Sequence, residues 1–168
     1  MGINIPDSLF NKYNDVVDVM ISRFGVKCTL VYPPKRERCG NCITQTMGRR
    51  SANVYRPGGP VPFSRGMICP LCGGNGFRDI ENTEEITLRV YWRMKDWIDV
   101  GFQVDVQDGF IQTIGYMSDL PKINKAKEII VNKDIQKYET LRFSRASEGF
   151  PQGFKQNRYV VCHWKRSG

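Results

Sequence analysis

The chain has one histidine, His163, in 168 residues, and that scarcity removes most routes to a Ser/His or Cys/His relay. No Gly-rich phosphate loop, nucleophile elbow or HExxH pair occurs either. The carboxylates are few and scattered. Asp96 and Asp99, which flank Trp97-Ile98, read as a turn or surface pair rather than as a general acid and base. These absences point away from an enzyme. No apolar run approaches the roughly 20 residues that cross a bilayer, and the opening Met1-Gly2-Ile3-Asn4-Ile5-Pro6-Asp7 lacks both the basic and the apolar part of a signal peptide. Pro6 also stands where a myristoylation signal needs Ser or Thr. The expected setting is a reducing cytosol with no membrane partner, where cysteines serve metal or redox chemistry more readily than disulfides. No repeat and no low-complexity tract is present.

What is present is a globular composition, 40% apolar and 25% charged, at a length that suits one ordinary core with a small appendage. The formal net charge is +8, and it is concentrated. Between Lys35 and Asp79 stand eight basic residues against two acidic ones, so six of the eight net charges fall there. Such an excess favours contact with a polyanion.

From Asp7 to Phe24, Phe10, Tyr13, Val17, Met20, Ile21 and Phe24 recur at steps of three and four, which predicts a helix with one buried face. Asp7 or Ser8 is placed to cap it and Gly25 to end it. Val26 to Tyr32 alternates, with Val26, Cys28 and Leu30 on one side, and Pro33-Pro34 stops it. Residues 33–80 hold six prolines and eight glycines and predict irregular loops organised by a metal. Ile86, Leu88, Val90 and Trp92 then face one way, with Thr87, Arg89, Tyr91 and Arg93 the other. A strand over 102–106 leads into Asp108-Gly109, a dipeptide suited to a two-residue hairpin turn, and Phe110 to Tyr116 leads out. A short helix over 121–127 and strands over 128–131, 138–143 and 158–164 complete the reading. The predicted fold is mainly β: a small antiparallel β-barrel or sandwich with an N-terminal α-helix. It divides into 1–32 (helix and first strand), an inserted module over 33–82, and 83–168 (the remaining strands).

Cys39-Gly40-Asn41-Cys42 and Cys69-Pro70-Leu71-Cys72 are two CxxC turns separated by 26 residues. Each turn aims two sulfurs at one point, and two such turns complete the closed four-thiolate tetrahedron that zinc prefers. Cys39, Cys42, Cys69 and Cys72 are therefore the predicted ligands of one structural zinc ion. With all four positions filled, no water site is left for catalysis. Gly40, Gly73, Gly74 and Gly76 let the backbone turn its amides toward the thiolates. A redox dithiol, an iron–sulfur cluster, and unliganded or disulfide-bonded cysteines use the same residue type and stay open as alternatives. Cys28 and Cys162 have no cysteine at ligand spacing and read as core residues, and His163 points to the opposite face from Cys162.

Cys69-Pro70-Leu71-Cys72-Gly73-Gly74-Asn75-Gly76 is similar to one CxxCxGxG unit of the zinc-binding region of DnaJ-type chaperones. The likeness covers those eight residues and fails at Cys42-Ile43-Thr44; it speaks for zinc, not for chaperone work. The order of strands over residues 84–166, from Ile86–Arg93 through the Asp108-Gly109 hairpin to Tyr159-Val160-Val161-Cys162-His163-Trp164-Lys165-Arg166, resembles that of the head-closure, or stopper, proteins in the neck of tailed bacteriophages. The inserted module is a departure from that family. The resemblance implies a non-enzymatic virion protein made in the host cytoplasm. It would form a homo-oligomeric ring between portal or adaptor and tail proteins, guiding or sealing double-stranded DNA without sequence readout.

The alternative is a zinc-ribbon nucleic-acid-binding protein. Lys35, Arg36, Arg38, Arg49, Arg50 and Arg65 are the candidate phosphate or subunit contacts, with Tyr55 or Phe63 as stacking platforms. A solvated face is the plainer reading of the same arginines, and an enzyme with a zinc-stiffened lid is the remaining class.

Overall fold

The computed structural model describes residues 6–92, 109–134, 139–153 and 156–167. It divides into two compact units, Met1–Pro33 with Thr83–Gly168, and Pro34–Asn82.

The first unit is mainly β and carries α1 (Asp7–Phe24), β1 (Val26–Val31), β6 (Thr83–Tyr91), β7 (Phe110–Tyr116), α2 (Leu120–Lys125), β8 (Glu128–Asp134), β9 (Glu139–Arg145), β10 (Phe150–Gln152) and β11 (Tyr159–Arg166). Its strands pair antiparallel in the circuit β1-β6-β7-β11-β9-β8 and back to β1, a closed six-stranded barrel. Strand β11 makes closure possible by dividing one edge. Its first residues, Tyr159 to Val161, pair with β10, and its last, Trp164 to Arg166, pair with β9. Closure leaves few backbone groups on a free edge.

Period-two alternation fills the interior. Leu30, Leu88, Val90, Ile111, Ile129, Val131, Phe143, Val160 and Trp164 form one buried cluster with Cys28 and Cys162, and α2 adds Ile123. Each such side chain contributes about 1.5–3 kcal/mol by burial. Trp164 Nε1 donates to Thr113 Oγ1 at 2.8 Å, so the largest interior side chain is also satisfied. Trp92 is partly buried against the same cluster, 6.1 Å from the Phe143 ring centroid.

Helix α1 covers part of the barrel's outer face. Val17 and Ile21 pack with Tyr91, Ile114, Tyr159 and Val161, so Tyr91, on the face opposite Leu88 and Val90, is buried beneath the helix. Phe24, expected in the buried stripe, is 60% exposed and packs instead beside the Arg89 guanidinium, 5.7 Å from its ring centroid. The helix begins at Asp7, and its N-cap position is taken by Pro6, in extended backbone, rather than by Asp7 or Ser8. At Gly25 the backbone turns extended and the helix stops, and a Cβ there would collide with the Ile21 carbonyl oxygen, so the position accepts only glycine.

The expected strand over 102–106, Asp108 of the hairpin turn, and Asp96, Trp97 and Asp99 lie outside the described residues. Gly109 has φ +94 immediately before β7. Among the described residues no helix is long and apolar enough to cross a membrane.

The second unit is more regular than its proline and glycine content predicts. It contains two antiparallel pairs, β2 (Lys35–Arg38) with β5 (Phe77–Ile80), and β3 (Cys42–Thr44) with β4 (Ser51–Tyr55). Four-residue strands with little apolar content carry almost no sequence signal, which is why they escape a periodicity reading.

Candidate metal centre

One CxxC turn joins two strands and the other lies in the loop before a third. Cys39 follows β2 and Cys42 opens β3, while Cys69 to Cys72 form a turn leading toward β5. The ladders bring the two turns together: the Cys39 N–H donates to the Gly76 carbonyl at 2.9 Å, and the Ser51 N–H to the Gly74 carbonyl at 3.1 Å. The four sulfurs lie within 4.8 Å of one another and are buried. Cys39 Sγ is 3.9 Å from Cys69 Sγ, and Cys42 Sγ is 3.7 Å from Cys72 Sγ.

These distances test what the site can hold. A tetrahedral ion with metal–sulfur bonds of about 2.3 Å sets its ligands about 3.8 Å apart, which these two pairs match. All six cysteines are free thiols, and these separations are far beyond a disulfide bond of about 2 Å. A multi-iron cluster would spread the thiolates further, because its irons and bridging sulfides must fit between them. The arrangement suits one metal ion held by Cys39, Cys42, Cys69 and Cys72.

Hydrogen bonds to sulfur temper the negative charge such a site gathers. Gly76 N–H donates to Cys72 Sγ at 3.3 Å, and Asn41 Nδ2 lies 3.6 Å from Cys69 Sγ. Burial pushes the Cys42 thiol up to about 12 and raises Cys39 as well. Burial also pushes Cys69 upward, but donation from the Asn41 amide and from the backbone N–H groups of Cys72 and Leu71 outweighs it and brings the thiol down to about 6.

Asn41 is fully buried and is the residue that sequence reasoning missed. Its position inside a CxxC turn was visible; the partners 20 and 28 residues away were not. The glycines divide on inspection. Gly73, Gly74 and Gly76 have positive φ, whereas Gly40 does not and has open space where a Cβ would go, so the turn does not require it. Cys28 and Cys162 belong to the barrel interior. His163 is half-buried with its pKa lowered by burial, and its ring lies 5.6 Å from Phe150.

The six candidate basic contacts separate into two groups. Arg36, Arg38, Arg49 and Arg50 meet around Phe77, lining two adjoining clefts of about 370 and 250 Å³. Lys35 pairs with Glu37 at 3.0 Å, and Arg65, though exposed, lines neither cleft. Tyr55 and Phe63 pack edge to face at 5.9 Å, Phe63 also against the cysteines. The aromatic ring among the arginines is therefore Phe77.

Comparison with known protein families, with characterised proteins and with solved structures finds no match for this chain.

Proposed function

We propose that the chain is a non-enzymatic structural protein of a tailed-phage neck, assembled as a ring that joins portal or adaptor to tail proteins and guides or seals double-stranded DNA. The observation that carries the reading is a closed antiparallel barrel with a distinct compact and strongly basic module inserted between two paired strands. The barrel accords with the strand order that resembles the stopper proteins, and its last strand ends in Lys165-Arg166. The basic module suits a lumen occupied by DNA, where phosphate attraction needs no base readout.

The metal in this reading is zinc, held by Cys39, Cys42, Cys69 and Cys72. Zinc favours four thiolates in a tetrahedron and has no redox chemistry of its own. Its binding supplies folding energy of about 10–16 kcal/mol to a segment with little apolar burial. Its place is structural.

Light scattering on the purified protein, together with imaging and immunolabelling of particles, tests the neck assignment. A ring in solution or at the portal vertex is expected. A strictly monomeric protein absent from particles ends the idea. Elemental analysis should give one zinc per chain.

The arginine clefts favour one other reading, a zinc-ribbon nucleic-acid-binding protein that acts outside a particle. A monomer that binds duplex with a steep salt dependence would select it over the neck.

A further inference from the structure

We infer that the arginine-lined cleft of the module is a DNA phosphate site, in which Arg36, Arg38, Arg49 and Arg50 contact the phosphodiester backbone and Phe77 fixes Arg36 in place. The inference rests on the reading above only in taking DNA as the polyanion; the site itself follows from the module's geometry.

Strands β2 and β5 pair so that Arg36 stands opposite Asp79 and Arg38 opposite Phe77, which places these four side chains on one face. The β3–β4 loop brings Arg49 and Arg50 to the same place, and the two clefts share Arg49 and Phe77. Adjoining clefts with a shared cation suit successive phosphates of one strand.

Three observations point to a ligand. The Arg36 guanidinium lies 5.0 Å from the centroid of the Phe77 ring, and stacking of this kind orients the planar group while leaving its N–H edge available. Arg49 has φ +50, a left-handed backbone that Gly or Asn adopts at less cost. A long cationic side chain therefore occupies a position where the backbone alone would favour a small one. Among the described residues, no ion pair neutralises Arg38, Arg49 or Arg50, and the carboxylate on this face, Asp79, stands opposite Arg36 without forming one.

The remaining lining favours phosphate over an acidic protein. Thr44, Gln45, Thr46 and Asn75 offer small polar groups, which commonly serve phosphate contacts. A protein interface would centre on large apolar anchors, and the clefts contain one half-buried ring.

The test is fluorescence anisotropy of the zinc-loaded protein with a random-sequence duplex across a salt series. Four phosphate contacts predict a log–log slope of about −3.6. Arg36→Ala with Arg50→Ala should flatten the slope by about 1.8, while Lys35→Ala with Arg65→Ala changes it by less than half as much. Arg49→Gly is the decisive variant, because glycine accepts the left-handed backbone: binding should fall several-fold while the melting temperature does not drop. Equal loss from both double variants, an unchanged slope in the cleft variants, or tighter binding of a polyglutamate peptide than of duplex overturns the site. If the Arg36/Arg50 variant loses zinc, Arg49→Gly decides alone. Failure of the neck reading looks different, with DNA binding intact in a protein that forms no ring and enters no particle.

Discussion

Asn41 stands between the cysteines of one turn and holds a sulfur of the other. Its Nδ2 reaches Cys69 Sγ at 3.6 Å and the Val61 carbonyl at 2.8 Å, while its Oδ1 accepts the Val61 N–H at 2.9 Å. One buried amide thus ties three distant stretches of chain to the metal centre. Gly59 gives it room: a Cβ there would lie 2.6 Å from Asn41 Oδ1.

Replacing Asn41 with Ala leaves the Val61 N–H without its buried acceptor and Cys69 without a donor. Metal affinity should fall about 10- to 100-fold, and the module should lose about 1–3 kcal/mol. Competition with a chromophoric zinc chelator measures the first and thermal melting the second. Wild-type affinity in Asn41→Ala would mean that the amide only fills space.

Metal binding should release protons. Cys39 and Cys42 sit above their ordinary range because burial disfavours the thiolate, so at neutral pH protons compete with the ion for both sulfurs. Affinity therefore rises with pH and falls on acidification. The fall steepens below about 6, where Cys69 too takes up a proton. Calorimetry in buffers of different ionisation heat should show at least two protons displaced per ion near pH 7.5. Release of fewer than one contradicts the assignment.

Glycine 76 and glycine 40 should respond in opposite ways. At Gly76 φ is +75, and a Cβ would lie 2.9 Å from backbone atoms of Arg50 and Ser51, so Gly76→Ala should cost at least about 2 kcal/mol and impair metal retention. Gly40→Ala, with nothing within 4 Å, should stay within about 0.5 kcal/mol of wild type. Chelator-induced unfolding followed by circular dichroism compares the pair.

The barrel has its own test. Tyr159 is fully buried, and its hydroxyl lies 2.9 Å from the Asn14 carbonyl and 3.0 Å from Asp18 Oδ1. Tyr159→Phe should cost about 1–3 kcal/mol and loosen α1, seen as faster amide exchange over 7–24. Trp164→Ala, which empties the interior, should cost about 3–5 kcal/mol. Little change in exchange over α1 in Tyr159→Phe would show that apolar packing alone holds the helix.

How far the sequence could be read depended on how local each signal was. Alternation at Ile86, Leu88 and Val90 marked an interior face because that pattern has a period of two. Closure of the barrel had no such mark, since it depends on Trp164 to Arg166 meeting residues Phe143 to Arg145, a pairing that no short window contains. The burial of Tyr91 on the other face had no local mark either, because helix α1, which covers it, comes from the start of the chain. Within the module, cysteine spacing marked the four thiols that gather into one buried cluster. Arg36, Arg38, Arg49 and Arg50 were singled out by charge density, but their meeting around Phe77 is a product of tertiary structure. The β2–β5 pair escaped because Lys35-Arg36-Glu37-Arg38 has no apolar side to alternate.

Strands β1 and β6 run side by side as antiparallel neighbours from Val26 opposite Leu88 to Val31 opposite Thr83, so the polypeptide departs and returns at points about 5 Å apart. Seen from the barrel, the whole cysteine-bearing cassette occupies the place of a tight turn. Such an attachment asks nothing of the host beyond two adjacent ends. The cassette could be excised, exchanged or acquired in a single genetic step, with the hairpin resealed by two residues such as Asn-Gly.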